Sequence, residues 1–138
     1  MKTKEEIINE YKRYENNAKE VLTKAKLDEK TGYYKDVKYV KMACGTMYSG
    51  LLDFLDNLFE VNNIQIDYGN SKKEKERKQV LYYREGLKKR YNKQLKLFND
   101  CYSVLHLSGY YDGVLASNTI KDGFKMSNEI FKDLSKNL

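Results

Sequence analysis

Proton transfer near neutral pH needs a group that titrates there, and the chain offers one imidazole, His106, its only histidine. A single histidine excludes a multi-histidine metal site within one chain. Cys101 lies five positions upstream of it. On a straight helix that separation turns the two side chains roughly 140° apart, a poor arrangement for a thiol–imidazole dyad. The first expectation for His106 is therefore a structural residue near a helix end, with catalysis as the alternative. Asp53, Asp56 and Glu60 are spaced by three and four and share a broad helical side. No Glu-x-x-His element accompanies them, so ion pairing with a basic neighbour is expected ahead of a divalent cation. Neither Cys44-Gly45-Thr46 nor Gly109-Tyr110-Tyr111-Asp112-Gly113 has the glycine spacing and lysine–hydroxyl ending of a phosphate loop. No catalytic, metal-binding or cofactor-binding set assembles from these residues.

Two stretches carry binding potential instead. Between Lys72 and Lys96 eleven basic residues stand against three glutamates, a local balance of +8 in a chain whose total is +6. Lys88, Lys89, Arg90 and Lys93 make this a candidate ridge for an acidic protein or for RNA. Tyr82, Tyr83 and Tyr91 lie within it and have the chemistry to stack on bases, although thirteen tyrosines in the chain weaken that signal. As a plain structural feature, the stretch is the lysine-rich solvent face of an amphipathic helix. The second stretch is Ser108-Gly109-Tyr110-Tyr111-Asp112-Gly113, where glycines flank paired tyrosines. It predicts a specified turn whose tyrosines pack back over the body, with a ligand-contacting loop as the alternative.

The elements that must position these residues are helices. No proline occurs in 138 residues, and apolar residues recur at three- and four-residue spacing. The expectation is one all-α domain over residues 1–138, a compact bundle of four helices with five as the alternative count. The first helix is predicted from Thr3, which has capping-box spacing to Glu6, to about Glu29, stopping at Thr31-Gly32. It buries Ile7, Ile8, Tyr11, Tyr14, Ala18, Val21, Leu22 and Ala25. The second, from about Lys35 to Glu60, turns Val37, Val40, Cys44, Met47, Tyr48, Leu51, Leu52, Leu55, Leu58 and Phe59 inward. Gly45 and Gly50 each cost roughly 1 kcal/mol of helix propensity there, so they predict close approach of a neighbour or a kink.

A connector with a Gly69-Asn70 turn precedes a third helix, capped by Ser71 and Glu74 and running to about Leu105. Its inward set is Val80, Leu81, Leu87, Tyr91, Leu95, Phe98, Tyr102 and Leu105, with a mild bend at Gly86. The last helix runs from Asp112 or Gly113 to Leu134 and buries Leu115, Ile120, Phe124, Ser127, Ile130, Phe131 and Leu134. Gly123 reads there as a tolerated defect or a close-packing point. Charges interrupt the apolar run from Val37 to Val61, so no membrane span is expected. The amino terminus lacks a signal-like apolar region, which points to the cytoplasm, with Cys44 and Cys101 buried and reduced.

The stretches Asn17–Leu22, Gly32–Val40 and Tyr48–Gly50, together with His106–Gly113, resemble an uncharacterised helical family of Bacteroidetes, DUF5618. More distantly the chain resembles the HEPN superfamily, small helical bundles that often dimerise and include RNA-cleaving toxins. That resemblance implies a nuclease motif: an arginine with four to six residues between it and a histidine. Counting back from His106, those positions hold Cys101, Asp100 and Asn99, and the nearest upstream arginine is Arg90. The motif is absent. RNA cleavage needs positive groups opposite the reacting phosphate as well as a proton carrier. The expected function is thus non-catalytic: protein–protein interaction or homodimerisation, with RNA binding or HEPN-like ribonuclease activity through His106 as the alternative.

Overall fold

The computed structural model describes residues 1–66 and 80–138. Helix α1 spans Lys4–Thr23 and opens on the expected capping box. Thr3 Oγ1 accepts from the Glu6 N–H at 3.1 Å, and the Thr3 N–H donates to the Glu6 carboxylate at 3.3 Å. The helix ends six residues sooner than its apolar period suggests. Lys26 takes a positive φ of 56°, and the chain turns back as a two-residue ribbon in which β1 (Leu27–Asp28) pairs antiparallel with β2 (Tyr33–Tyr34). The carbonyl of Ala25 accepts from the N–H groups of both Lys35 and Asp36 at 3.0 Å, so the returning chain takes the acceptor that another helical turn would use. Gly32, at φ +75°, serves the ribbon's turn and not a helix cap.

Helix α2, Val37–Val61, starts where Asp36 Oδ1 accepts from the Lys38 N–H at 3.0 Å. It is the axis on which the others pack. Val40, Cys44, Met47, Leu51, Leu55 and Leu58 are buried as expected, and Phe54 joins them. Val37 does not: it is exposed, because it opens the helix and rests only one flank near Gly113. Gly50 does permit close approach, since a Cβ there would stand 2.5 Å from that of Tyr14 on α1.

The single long third helix is corrected twice. Helix α3, Val80–Arg90, ends at Tyr91, whose φ of −125° and ψ of 45° leave the helical region; a 3-10 turn at Asn92–Gln94 leads into α4, Leu95–Cys101. The change of direction lets α3 lie on the end of α2 while α4 packs along the last helix. Helix α4 then continues past Leu105 without a break, as a π-helical segment, Tyr102–Tyr111. Its wider hydrogen bonding shows in the Asp112 N–H, which donates to the Leu107 carbonyl five residues back at 2.9 Å. The expected turn at Leu107–Gly113 is therefore helical as far as Tyr111. Leu81 faces solvent, and Tyr83, two positions on and so roughly 200° around the helix, is buried in its place. Gly86 marks no bend; a Cβ there would meet Phe59 Cζ at 2.5 Å, so it is a packing contact. The Gly69-Asn70 turn and the Ser71–Glu74 cap lie outside the described residues.

Helix α5, Ser117–Leu134, begins later than expected. Gly113, at φ +65°, ends the π segment, and the next residues run extended beside the ribbon: the Tyr34 N–H donates to the Leu115 carbonyl at 2.8 Å, and the Ser117 N–H to that of Gly32 at 2.9 Å. Its predicted inward residues are buried, except Leu115, which precedes the helix and is half-buried. Gly123 is a close-packing point, with a would-be Cβ 2.8 Å from Leu105 Cδ2. Tyr11 links three elements in the core: its ring stacks on Phe131 at 4.0 Å, meets Phe54 edge-on at 6.0 Å, and its hydroxyl lies 2.9 Å from Ser127 Oγ. The described residues form an all-α, compact bundle of five helices. Among them, no helix is long and apolar enough to cross a membrane.

Candidate functional site around His106

The π segment lies against the first half of α2, and small residues set how closely. Gly109 rests on Cys44, where a Cβ would come within 2.8 Å of the cysteine Cβ. Gly45 forms a notch for Tyr110, whose Cδ1 would be 2.9 Å from a Cβ at that position. This packing collects rings around the one imidazole. Along the segment, at four-residue spacing, His106 stacks on Tyr102 at 5.4 Å and lies nearly parallel to Tyr110 at 5.9 Å. From α2, Tyr48 stacks on it at 4.8 Å; Tyr111 meets it edge-on at 4.9 Å. His106 is partly buried, and desolvation holds its pKa below the ordinary 6.5. Among the described residues, no hydrogen bond reaches its ring nitrogens. The paired tyrosines pack back only in part: Tyr110 is 45% exposed and Tyr111 60%.

An arginine does approach this cluster, from another helix. Arg84 on α3 donates from Nε to Asn99 Oδ1 at 2.6 Å and stands over the Tyr102 ring at 5.3 Å. The guanidinium thus lies against the Asn99 side chain and the Tyr102 ring, and that ring in turn stacks on His106. Its charge also acts on Tyr48, although burial dominates there and pushes that phenol well above its usual range. Sequence spacing missed Arg84 because α3 and α4 are joined by a bend, and it left Tyr48 and Tyr102 as ordinary core. The one readable signal was the four-residue spacing of Tyr102, His106 and Tyr110.

The described part of the basic ridge stands elsewhere, and its residues 72–79 lie outside the described residues. Arg90 Nη1 donates to the Asn62 carbonyl at 3.2 Å, Lys89 Nζ donates to the Gln65 carbonyl, and Lys88 pairs with Glu85 at 3.7 Å. Asn62 is seventeen residues along the chain from Gly45, about 25 Å of helix. Lys88, Lys89, Arg90 and the exposed Lys93 are therefore not brought together with Tyr110 and Tyr111. Tyr83 is no base-stacking platform, since it is buried and its hydroxyl donates to Asp56 at 3.3 Å. That bond is also how the acidic side of α2 engages α3. Asp53 is held above the usual carboxylate range by burial first and by the neighbouring Glu10 charge second, with Lys2 opposing. Among the described residues, no three His, Cys, Asp or Glu side chains are arranged to hold a metal. Both cysteines are free and buried, and burial pushes the Cys44 thiol up to about 12.

Beside Tyr110 a shallow groove of ≈ 450 Å³ runs along α2, lined by Tyr14, Lys41, Met42, Gly45 and Thr46 among others. Met42, Val37 and Leu107 are also exposed on α2 and the π segment. The face therefore offers aromatic and thioether surface, a partly desolvated imidazole and one positioned guanidinium.

Residues 6–136 match the family model described as Domain of unknown function (DUF5618). A solved structure described as a protein of unknown function from Dyadobacter fermentans is similar over 98% of each chain, at 34% identity and a TM-score of 0.80. No curated protein matches the chain.

Proposed function

The chain belongs to the DUF5618 family, and from that premise we propose that it is a non-catalytic interaction protein that pairs with a second copy of itself through the face around Tyr110 and Tyr111. The observation that carries this is their exposure on a packed helical face, where buried tyrosines would be ordinary. Tyrosine and methionine are the residue types that anchor interfaces. The same face presents a projecting ring, Tyr111, and a groove beside Met42 and Tyr110, the self-complementary pattern a two-fold contact requires. In this proposal residues 1–138 act as one domain in the cytoplasm, with the HEPN-like resemblance supplying the precedent for dimers. The test is sedimentation equilibrium. A dimer with a dissociation constant at or below about 10 μM is expected, converted to folded monomer by Met42→Glu. A wild-type monomer at about 100 μM would sink the proposal.

One observation favours a second reading, RNA binding or HEPN-like cleavage: Arg84 stands beside the Tyr102–His106 stack at the Asn99 position. It requires purified protein to bind single-stranded RNA in a salt-sensitive way and cleavage to be lost in both His106→Ala and Arg84→Ala. Absence of both binding and cleavage removes it.

A further inference from the structure

We propose that the cleft between α1 and α5 is a docking groove for an acidic amphipathic helix of a partner protein, a site separate from the face around Tyr110. Both helices lean on α2, and beneath the cleft they are joined by the Tyr11–Phe131 stack and the Tyr11–Ser127 hydrogen bond. Above that seam they leave a groove of ≈ 620 Å³ floored by Leu22, Phe124 and Phe131. A further ≈ 290 Å³ continues past Leu22 toward Leu27 and Tyr34. The rims are lysine on both sides: Lys12 and Lys19 from α1, and Lys121, Lys125 and Lys132 from α5.

The one carboxylate in the groove is already engaged. Glu15 accepts from Asn128 Nδ2 at 2.8 Å and pairs with Lys19 at 3.9 Å, and its side chain is only 13% exposed. Among the described residues, no carboxylate comes within ion-pair distance of Lys12, Lys121, Lys125 or Lys132. Four cations face one another across an apolar floor without an ion-pair partner among the described residues, so a ligand bearing carboxylates along both flanks relieves their repulsion. The dimensions fit a helix. Lys12 to Leu22 and Lys121 to Lys132 each span about 15 Å, three turns of an incoming helix. In cross-section the groove runs charge, apolar, charge, which is what an amphipathic helix with an apolar stripe between acidic edges complements. Lysine stems extend the apolar floor upward on both sides. A nucleic acid is served less well. Leu22, Phe124 and Phe131 are 9%, 7% and 5% exposed, so the lysine stems supply most of the groove's apolar contact and no ring is open for base stacking, and no arginine lines the groove for bidentate phosphate contact.

The probe is a fluorescein-labelled, end-capped peptide of roughly 14 residues, with leucines at i, i+3, i+4 and i+7 and glutamates on both flanks. It is titrated into the full chain by anisotropy and by amide chemical-shift mapping. Shifts are expected along α1 and α5, with at least about tenfold weaker binding for Lys125→Glu/Lys132→Glu and for the probe with glutamines in place of its glutamates. The reversed chain, checked for unchanged circular dichroism and melting temperature, separates lost docking from lost folding. Lys88→Glu/Lys89→Glu and Tyr111→Ala should leave peptide binding unaltered, so failure here is distinguishable from failure of the dimer. No α1 or α5 shifts at about 1 mM peptide, or equal affinity after the double reversal, would overturn the proposal. Stronger displacement of the same resonances by oligouridine or by oleate would overturn it in favour of an RNA or a lipid occupant.

Discussion

Tyr11 and Tyr111 are the same side chain in opposite circumstances. Tyr11 is 1% exposed, held between Phe54 and Phe131 with its hydroxyl on Ser127, and burial pushes its phenol well above the usual range. Tyr111 is 60% exposed, set edge-on to His106 and nearly at right angles to Tyr110. A buried ring contributes mainly to stability, through the surface it withholds from water. An exposed ring adds little to stability and leaves that surface for a partner. The region joining α1, α2 and α5 therefore holds the molecule together, whereas the π segment displays residues on it.

The largest effect that can break this contrast is Tyr11→Ala. It should cost about 3–5 kcal/mol in urea unfolding, and a loss under about 1 kcal/mol would mean that the core is anchored elsewhere. Next comes Gly109→Ala, which forces a Cβ toward Cys44. A cost of about 1–3 kcal/mol is expected, with partial recovery when Cys44 is also made alanine, because the display face must rest on α2 to exist at all. Smaller still in stability is Tyr111→Ala, with a change within about 0.5 kcal/mol. Its self-association, read by sedimentation, should nevertheless weaken by at least about tenfold.

The smallest effect is electrostatic. Desolvation lowers the folded-state pKa of His106 below its unfolded value near 6.5, so the unfolded chain binds its proton first as pH falls. The neutral form's stabilisation is present above pH 6.5 and is lost as pH drops from there toward the folded pKa. Proton NMR of the imidazole reads that pKa directly, and His106→Phe should flatten this part of the stability profile. A folded pKa at or above 6.5 would show the ring to be better solvated than its four tyrosine neighbours allow.

Much of this fold is legible in three- and four-residue spacing. Ile7, Tyr11, Ala18 and Leu22 on α1, and Ile120, Phe124, Ile130 and Phe131 on α5, fall inward as their period requires. Helix ends were harder. The Thr3–Glu6 box is local and readable, whereas the stop at Thr23 depends on Ala25 meeting the chain that returns ten residues later. The glycines of α2 announced close contacts without naming the partner, Tyr14 for Gly50 and Tyr110 for Gly45, whereas Gly109, expected in a turn, packs on Cys44.

What the amino-acid order determined by itself is that the chain is helical and which side of α1, α2 and α5 turns inward, because amphipathic period and capping act over one or two turns. Only the tertiary structure decided that Arg84 reaches Asn99 beside the Tyr102–His106 stack, that Lys89 and Arg90 stand apart from Tyr110 and Tyr111, and that lysines from α1 and α5 face each other across one groove. The physical reason is separation along the chain. Those meetings join residues as many as 120 positions apart, and their geometry is set by where helices bend and cross, which local propensity does not encode.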